Sequence, residues 1–239
     1  MIQISNVKID LDDDRDIAIR KQIEKIVSGR PFNYRIVKES IDARKKPIKF
    51  VYQVYVETDN EDSIIKRDKN VIKVSEYIKK ETIKGSTKVN GRVAVVGLGP
   101  AGLFAALELA RNGYRPVVFE RGKDVIRRKG DVENFWETGT LNPESNVQFG
   151  EGGAGTFSDG KLTTRIKDKR VDLILRDLHF FGADEEILFA NKPHIGTDVL
   201  IDVVKKIREA IISLGGEVRF DSRVDDLDIR NAELKWFIV

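Results

Sequence analysis

Three observations predict an α/β chain in two parts. The first ninety residues alternate short apolar strands with two helical stretches. A polar, glycine- and serine-containing segment follows at Lys79–Asn90 (KKETIKGSTKVN). Beyond it the pattern changes to short continuous apolar runs, each feeding a glycine turn or a helix, which is how parallel strands read. The expected division is a small α+β domain over 1–88 and a second α/β domain over 89–239.

Ile2, Ile4, Val7 and Ile9 mark the first strand. The acidic run Asp12–Asp14 offers capping oxygens and negative charge to a following helix. In that helix Ile19, Ile23, Ile26 and Val27 share one face, and Gly29-Arg30-Pro31 stops it. Asn33–Ile41 and Ile48–Glu57 read as strands, with Phe50, Tyr52, Val54 and Val56 on one face of the second. A polar helix at Glu61–Lys69 and a short strand at Val71–Val74 complete the order βαββαβ, which predicts a ferredoxin-like sandwich.

Composition narrows the chemistry. The 239 residues are 41% hydrophobic and 34% charged, enough apolar material for a core beneath a heavily charged surface. There is no cysteine, so disulfides, thiolate metal sites, iron–sulfur clusters and dithiol relays are excluded. Two histidines, His179 and His194, do not make a His-rich metal site, and no metal is expected. No apolar run approaches the ~18 residues needed to span a bilayer, and the start lacks the basic and apolar regions of a signal peptide, so a cytoplasmic protein is expected. Residues 1–90 carry 20 Lys+Arg against 15 Asp+Glu, whereas 91–239 carry 22 against 24. The basic front end is interleaved with acids and forms no stripe of one sign, so nucleic acid is not the expected partner.

The sharpest signal is Arg92-Val-Ala-Val-Val96, read as a strand buried on both faces, running into Gly97-Leu98-Gly99-Pro100-Ala101-Gly102. A helical face (Leu103, Leu107, Ala110) ends at Gly113, and Pro116–Glu120 is the next buried strand, closed by a carboxylate. Strand, GxGxxG, helix, strand and terminal acid in that order form the Rossmann dinucleotide-binding fingerprint. Gly97 permits the tight turn, Gly99 leaves room for a pyrophosphate, and Gly102 lets the helix pack closely. The N–H groups and positive dipole end of that helix then hold the pyrophosphate. Glu120 is suited to the hydroxyls of an adenosine ribose and disfavours a 2′-phosphate, an exclusion that neighbouring Arg121 weakens. An ordinary βαβ turn is the bland reading.

Gly150–Gly160 packs five of the 19 glycines into eleven residues. It is either a flexible loop or a second wall of backbone N–H groups folded near a ligand. Leu200, Val203, Val204, Ile207 and Ile211 then mark an amphipathic helix, capped by Thr197 or Asp198 and ended by Gly215-Gly216. Arg127-Arg128-Lys129 reads as a reach towards cofactor phosphates or as a plain charged face. Lys161 is a phosphate partner or a surface lysine. His194 is an acid/base candidate or a structural residue, and His179 is packed or exposed. No catalytic residue stands out.

VAVVGLGPAGLFAALELARNGYRPVVFERG resembles the FAD-binding start of the glutathione-reductase-like flavoproteins with two dinucleotide-binding domains. More closely, VQFGEGGAGTFSDGKL, PHIGTDVL, LGGEVRFDSRV and YRIVKESIDARKK resemble a family of uncharacterised FAD-dependent dehydrogenases. The resemblance implies FAD and an oxidoreductase of unknown substrate or electron acceptor. It assigns Gly97, Gly99, Ala101 and Gly102, within the GxGPAG form that includes Pro100, to the pyrophosphate. It gives Glu120 to the ribose, Arg121 to the adenine end, and Gly152, Gly153, Ala154, Gly155 and Thr156 to the pyrophosphate or isoalloxazine side. Val224 is expected to hold adenine through the backbone of a strand end, and Arg128 is a further phosphate candidate. Members of that family are longer, so the FAD-binding domain is expected to be incomplete at its C-terminus, and a separate C-terminal half is a candidate partner. Two other readings stand beside it: a binding module whose N-terminal domain contacts nucleic acid or a protein, and a simpler NAD-binding enzyme.

Overall fold

Alternation breaks once inside the first strand, and the structure explains why. β1 (Ile2–Asp10) buries Ile2 and Ile4, then Val7 and Ile9, an odd step for a period of two. A bulge between Ile4 and Val7, with Asn6 at a φ of 63°, absorbs the extra residue and returns Val7 to the core face. The computed structural model describes residues 1–75, 85–87, 89–157, 160–162, 164, 166 and 168–230, with the backbone of 233–238. The chain divides into two units.

The first unit comprises Met1–Thr82, Thr163–Arg176 and Asp184–Pro193. After β1 come α1 (Arg15–Val27), β2 (Phe32–Asp42), β3 (Lys49–Thr58), α2 (Glu61–Arg67) and β4 (Val71–Lys73). The sheet is antiparallel with the order β2-β3-β1-β4. Asp14 caps α1 by accepting the Ile17 N–H at 3.0 Å, and Ser28 ends it in the left-handed region. Ile19, Ile23 and Val27 of α1 meet Tyr52, Val54 and Val56 of β3 in one buried cluster with the β1 residues and Ile64 of α2. The linker expected at Lys79–Asn90 falls largely on residues 79–84 and 88, outside the described residues.

The second unit comprises Ile83–Leu162, Asp177–Ala183 and His194–Val239. Its parallel sheet has the order β5-β6-β7, from β5 (Ala94–Val96), β6 (Val117–Phe119) and β7 (Glu217–Arg219). α3 (Pro100–Arg111) joins β5 to β6, and α4 (Val125–Thr138), capped by Asp124, follows β6. The division between units falls within α5 (Arg170–Phe180). α6 (Thr197–Ser213) buries Ile201, Val203, Val204, Ile207 and Ile211 before β7. β8 (Asp226–Arg230) and β9 (Glu233–Ile238) form a separate antiparallel pair.

Two local expectations need correction. β6 is buried throughout, but β5 is an edge strand with Val96 61% exposed, because the sheet order gives it a partner on one side only. α6 is capped by Gly196, not by Thr197 or Asp198, which lie inside its first turn and leave no side-chain capping bond. Among the described residues, no helix is long and apolar enough to cross a membrane.

Candidate functional site

The turn after β5 needs a glycine at its first position. Gly97 has a φ of +88°, and its N–H donates to the Phe119 carbonyl at 2.7 Å, binding the turn to the end of β6. Gly102 answers to close approach instead. A Cβ there would sit 1.9 Å from the Gly97 carbonyl oxygen and 3.4 Å from Val95, so only a bare backbone lets α3 start against its own turn. Gly99 is the N-cap of α3 with Pro100 at the first helical position, which orients the first-turn N–H groups outward without an intrahelical acceptor.

Glu120 ends β6 as expected, 4% exposed. Its carboxylate accepts the Leu98 N–H at 2.7 Å and the Gly122 N–H at 2.9 Å, one bond per oxygen. It therefore anchors the glycine turn as well as facing the site. A carboxylate has about four acceptor positions, so two remain for ligand hydroxyls. This anchoring role is absent from the sequence reading.

The second glycine cluster is not free-standing. Gly152 N–H donates to the Leu98 carbonyl at 2.8 Å, and a Cβ on Gly153 would lie 3.0 Å from Pro100 and 3.3 Å from the Gly99 Cα. The two glycine loops thus pack backbone to backbone. The second loop continues into a single 3-10 turn (Ala154–Phe157), in which Ala154 and Gly155 are exposed and Thr156 is 1% exposed, its hydroxyl without a protein partner. Residues 158 and 159 of this cluster lie outside the described residues.

Together these segments wall a cleft of about 370 Å³ beyond the C-terminal ends of the parallel strands. Its lining includes Gly97 and Gly99, Glu120 and Arg121, Gly153, and Val224. Arg121 lies over the Phe149 ring at 4.3 Å and pairs with Glu144 at 3.1 Å, and Arg223 holds the same Glu144 at 3.0 Å. Pro100, Ala101 and Gly102 stand just behind, in the first turn of α3. Val224 reaches the cleft from a loop, five residues past the end of β7, so it is not the strand-end residue expected.

Arg128 is not in the cleft. It is fully buried, donating to the carbonyls of Asn146 (2.8 Å), Glu151 (2.6 Å) and Val147 (2.9 Å) above the Phe157 ring. Burial pulls its guanidinium down to about 10, and its N–H groups are taken up by carbonyls of the 146–151 loop. Arg127 pairs with Asp124 and, at 3.0 Å, with Asp221, and Lys129 pairs with Glu133. His179, in the last turn of α5, has Nδ1 2.8 Å from the Ala183 carbonyl just beyond the helix. His194 is exposed and bridges Lys161 as an isolated strand-like pair. Among the described residues no cluster of His, Cys, Asp or Glu could hold a metal ion.

The sequence reading also missed Glu151, a fully buried acid inside the glycine cluster. It accepts the Val125 N–H at the start of α4 at 2.7 Å and pairs with Arg208 of α6 at 3.2 Å. Burial, partly countered by those two partners, pushes its carboxyl above the ordinary range.

Comparison with known proteins places this geometry in context. A family model described as a domain of unknown function, DUF8436, matches residues 1–57. An uncharacterized protein of Clostridium beijerinckii is 48% identical over 244 residues, covering all of this chain and 46% of that protein. Thiamine thiazole synthases of Saccharolobus islandicus and Saccharolobus solfataricus are 28% identical over 168 residues, which is 69% of this chain and 50% of theirs. The chain thus spans about half the length of the curated relatives it matches. Among solved structures, the crystal structure of Thermovibrio ammonificans THI4 aligns with 60% of this chain and 44% of its own at a TM-score of 0.37 and 19% identity, too partial a match to bear on architecture. The chain is thus a mixed α/β protein with a parallel sheet and distant sequence similarity to thiamine thiazole synthases.

Proposed function

We propose that the second unit is a Rossmann-type dinucleotide-binding module and that its ligand is FAD, within an oxidoreductase related to the uncharacterised FAD-dependent dehydrogenases. The observation that carries this reading is the cleft at the C-terminal strand ends, walled by two glycine loops in backbone contact and by Glu120. Open α/β sheets bind ligands at that end. The ligand fits on physical grounds: a Cβ added to Gly99 would meet nothing nearer than the Gly153 Cα at 4.0 Å, so bare backbone borders open space beside the N-terminus of α3.

In this reading the first-turn amides of α3 (Ala101 and Gly102), with the helix dipole, hold the pyrophosphate. The free lone pairs of Glu120 accept the adenosine ribose hydroxyls. Arg121, held over Phe149 and tethered to Glu144, borders the adenine end, with the Val224 backbone opposite. Gly153 closes the wall beside the pyrophosphate, and Gly152 and the Ala154–Thr156 turn support it from behind. Arg128 serves the site by shaping the 146–151 loop. A bound isoalloxazine supplies hydride or electron transfer.

The proposal extends to domain organisation: a ferredoxin-like N-terminal domain over 1–88, supported by the βαββαβ order and the β2-β3-β1-β4 sheet, and the dinucleotide unit over 89–239, less the Thr163–Arg176 and Asp184–Pro193 segments that belong to the first compact unit. The test is side-by-side titration of the purified chain with FAD and NAD, following the flavin spectrum and thermal stability. Saturable stabilisation by FAD, stronger than by NAD, is expected. Stabilisation by NAD alone transfers the assignment to the simpler NAD-binding class, and no response to either removes it.

A further inference from the structure

We infer that Glu151 is the positioning residue of the cleft, a buried acid that fixes the second glycine loop against the first and so sets the space between them. The inference rests on the dinucleotide reading for its effect on ligand, and on the chain's own geometry for its effect on the loop.

All four polar groups of Glu151 face flanking elements, three through hydrogen bonds and one carboxylate oxygen through an ion pair alone. Its N–H donates to the Lys123 carbonyl at 3.1 Å, ahead of α4, and its carbonyl accepts the buried Arg128 guanidinium at 2.6 Å. One carboxylate oxygen accepts the Val125 N–H at 2.7 Å, at the positive end of α4, and the other pairs with Arg208 of α6 at 3.2 Å. One residue therefore ties the loop to both helices that flank it.

Its neighbours leave the loop no slack. A Cβ on Gly150 would lie 2.4 Å from Arg128 Cδ, and one on Gly152 would lie 2.1 Å from Thr156 Oγ1 and 3.3 Å from Val204 of α6. The next residue onward carries the Gly152–Leu98 bond that docks the loop on the first glycine turn. A carboxylate with no solvent access is expensive to bury unless its partners hold it. Here the partners lie on the elements whose separation defines the loop's place. The contacts of Glu151 are thus those of a brace, and it touches no part of the cleft itself: it is absent from the lining, whereas Gly150 and Gly153 on either side are present.

The test uses the full chain with two variants and two readouts. In Glu151→Ala, amide hydrogen exchange at Gly152 and Gly153 rises at least tenfold, while the sheet amides of Val117 and Glu120 exchange as in wild type. FAD, the probe used, binds at least tenfold more weakly. Glu151→Gln keeps the side-chain shape and an acceptor for the Val125 N–H, so it restores most of both losses. Should the alanine variant fail to fold, the glutamine variant carries the test, with a smaller rise confined to the loop. Unchanged exchange at Gly152–Gly153 overturns the inference, as does faster exchange spread evenly through the sheet, which marks a general stabilising role. Wild-type protein that binds no FAD overturns the FAD reading and the ligand effect with it, and the exchange readout then decides separately whether Glu151 holds the loop.

Discussion

Gly99→Ala separates ligand recognition from folding more cleanly than any other change in the cleft. Gly99 has a φ of −69°, which any residue adopts, and its added Cβ would meet only the Gly153 Cα at 4.0 Å, an ordinary contact. The fold therefore loses little. An alanine is a poorer N-cap than glycine by up to about 1 kcal/mol, and the stiffer unfolded chain returns about 0.4–1 kcal/mol. The two terms nearly cancel, and thermal stability should move by no more than about 2–4 °C. The ligand is affected differently, because the methyl occupies the space through which a pyrophosphate reaches the start of α3. Each hydrogen bond from an amide to a charged phosphate is worth about 1.5–3 kcal/mol. Losing one weakens FAD binding by roughly tenfold to over a hundredfold. Isothermal titration with FAD, paired with a melting curve of the free protein, measures both quantities. Gly102→Ala is the control: its Cβ would lie 1.9 Å from the Gly97 carbonyl oxygen, so it damages the fold itself. Wild-type affinity in Gly99→Ala would refute the placement of the pyrophosphate, and a collapse in its melting temperature would refute the reading of open space.

Other consequences are equally direct. Thr156→Val removes a buried hydroxyl without a protein partner, so stability should hold or rise by about 1 kcal/mol in urea unfolding; a drop in FAD affinity at unchanged stability would assign that hydroxyl to the ligand. Arg128→Met strips three loop carbonyls of their donor and should cost about 3 kcal/mol or more, lowering the melting temperature by about 6–12 °C; near-wild-type melting would show that the guanidinium does not organise the loop. For Glu151 the sign follows from its raised carboxyl: the folded state keeps a proton where the unfolded chain has released it, so this group favours folding progressively as pH falls from neutral towards about 4.3. The stability difference between wild type and Glu151→Gln should therefore shift towards wild type over that interval, and a difference independent of pH would contradict the burial argument.

What the residues announced in advance was what local rules govern. The turn at Gly97–Gly102, the Asp14 cap and the buried faces of α1 and α6 depend on spacings a few residues long, and they stand where those spacings put them except that α6 buries Ile201 and leaves Leu200 half-buried. Partners distant in the chain were not legible. Arg128 sits in an Arg-Arg-Lys run, whose composition describes a wetted face, yet carbonyls 18 to 23 residues onward draw it fully inside. Glu151 reads as a polar interruption among glycines, and only α6, more than fifty residues later, gives its charge a counterpart. Short apolar runs have the same ambiguity: Val93 to Val96 looks like a central strand, but strand order is a global property and places β5 at a margin. The inward bonds of Glu120 belong to this group as well, since their donors are fixed only once the turn has folded.

The surplus residue in β1 determines where that strand can change length. Upstream and downstream of Asn6 the pleat runs in opposite phase, so an insertion or deletion elsewhere in the strand would send Ile2 and Ile4, or Val7 and Ile9, outward to water. Loss of Asn6 alone removes the surplus residue and leaves all four side chains on one face of a regular strand. The first strand can thus shorten at its bulge alone, and elsewhere sequence change in it is confined to replacement of one side chain by another.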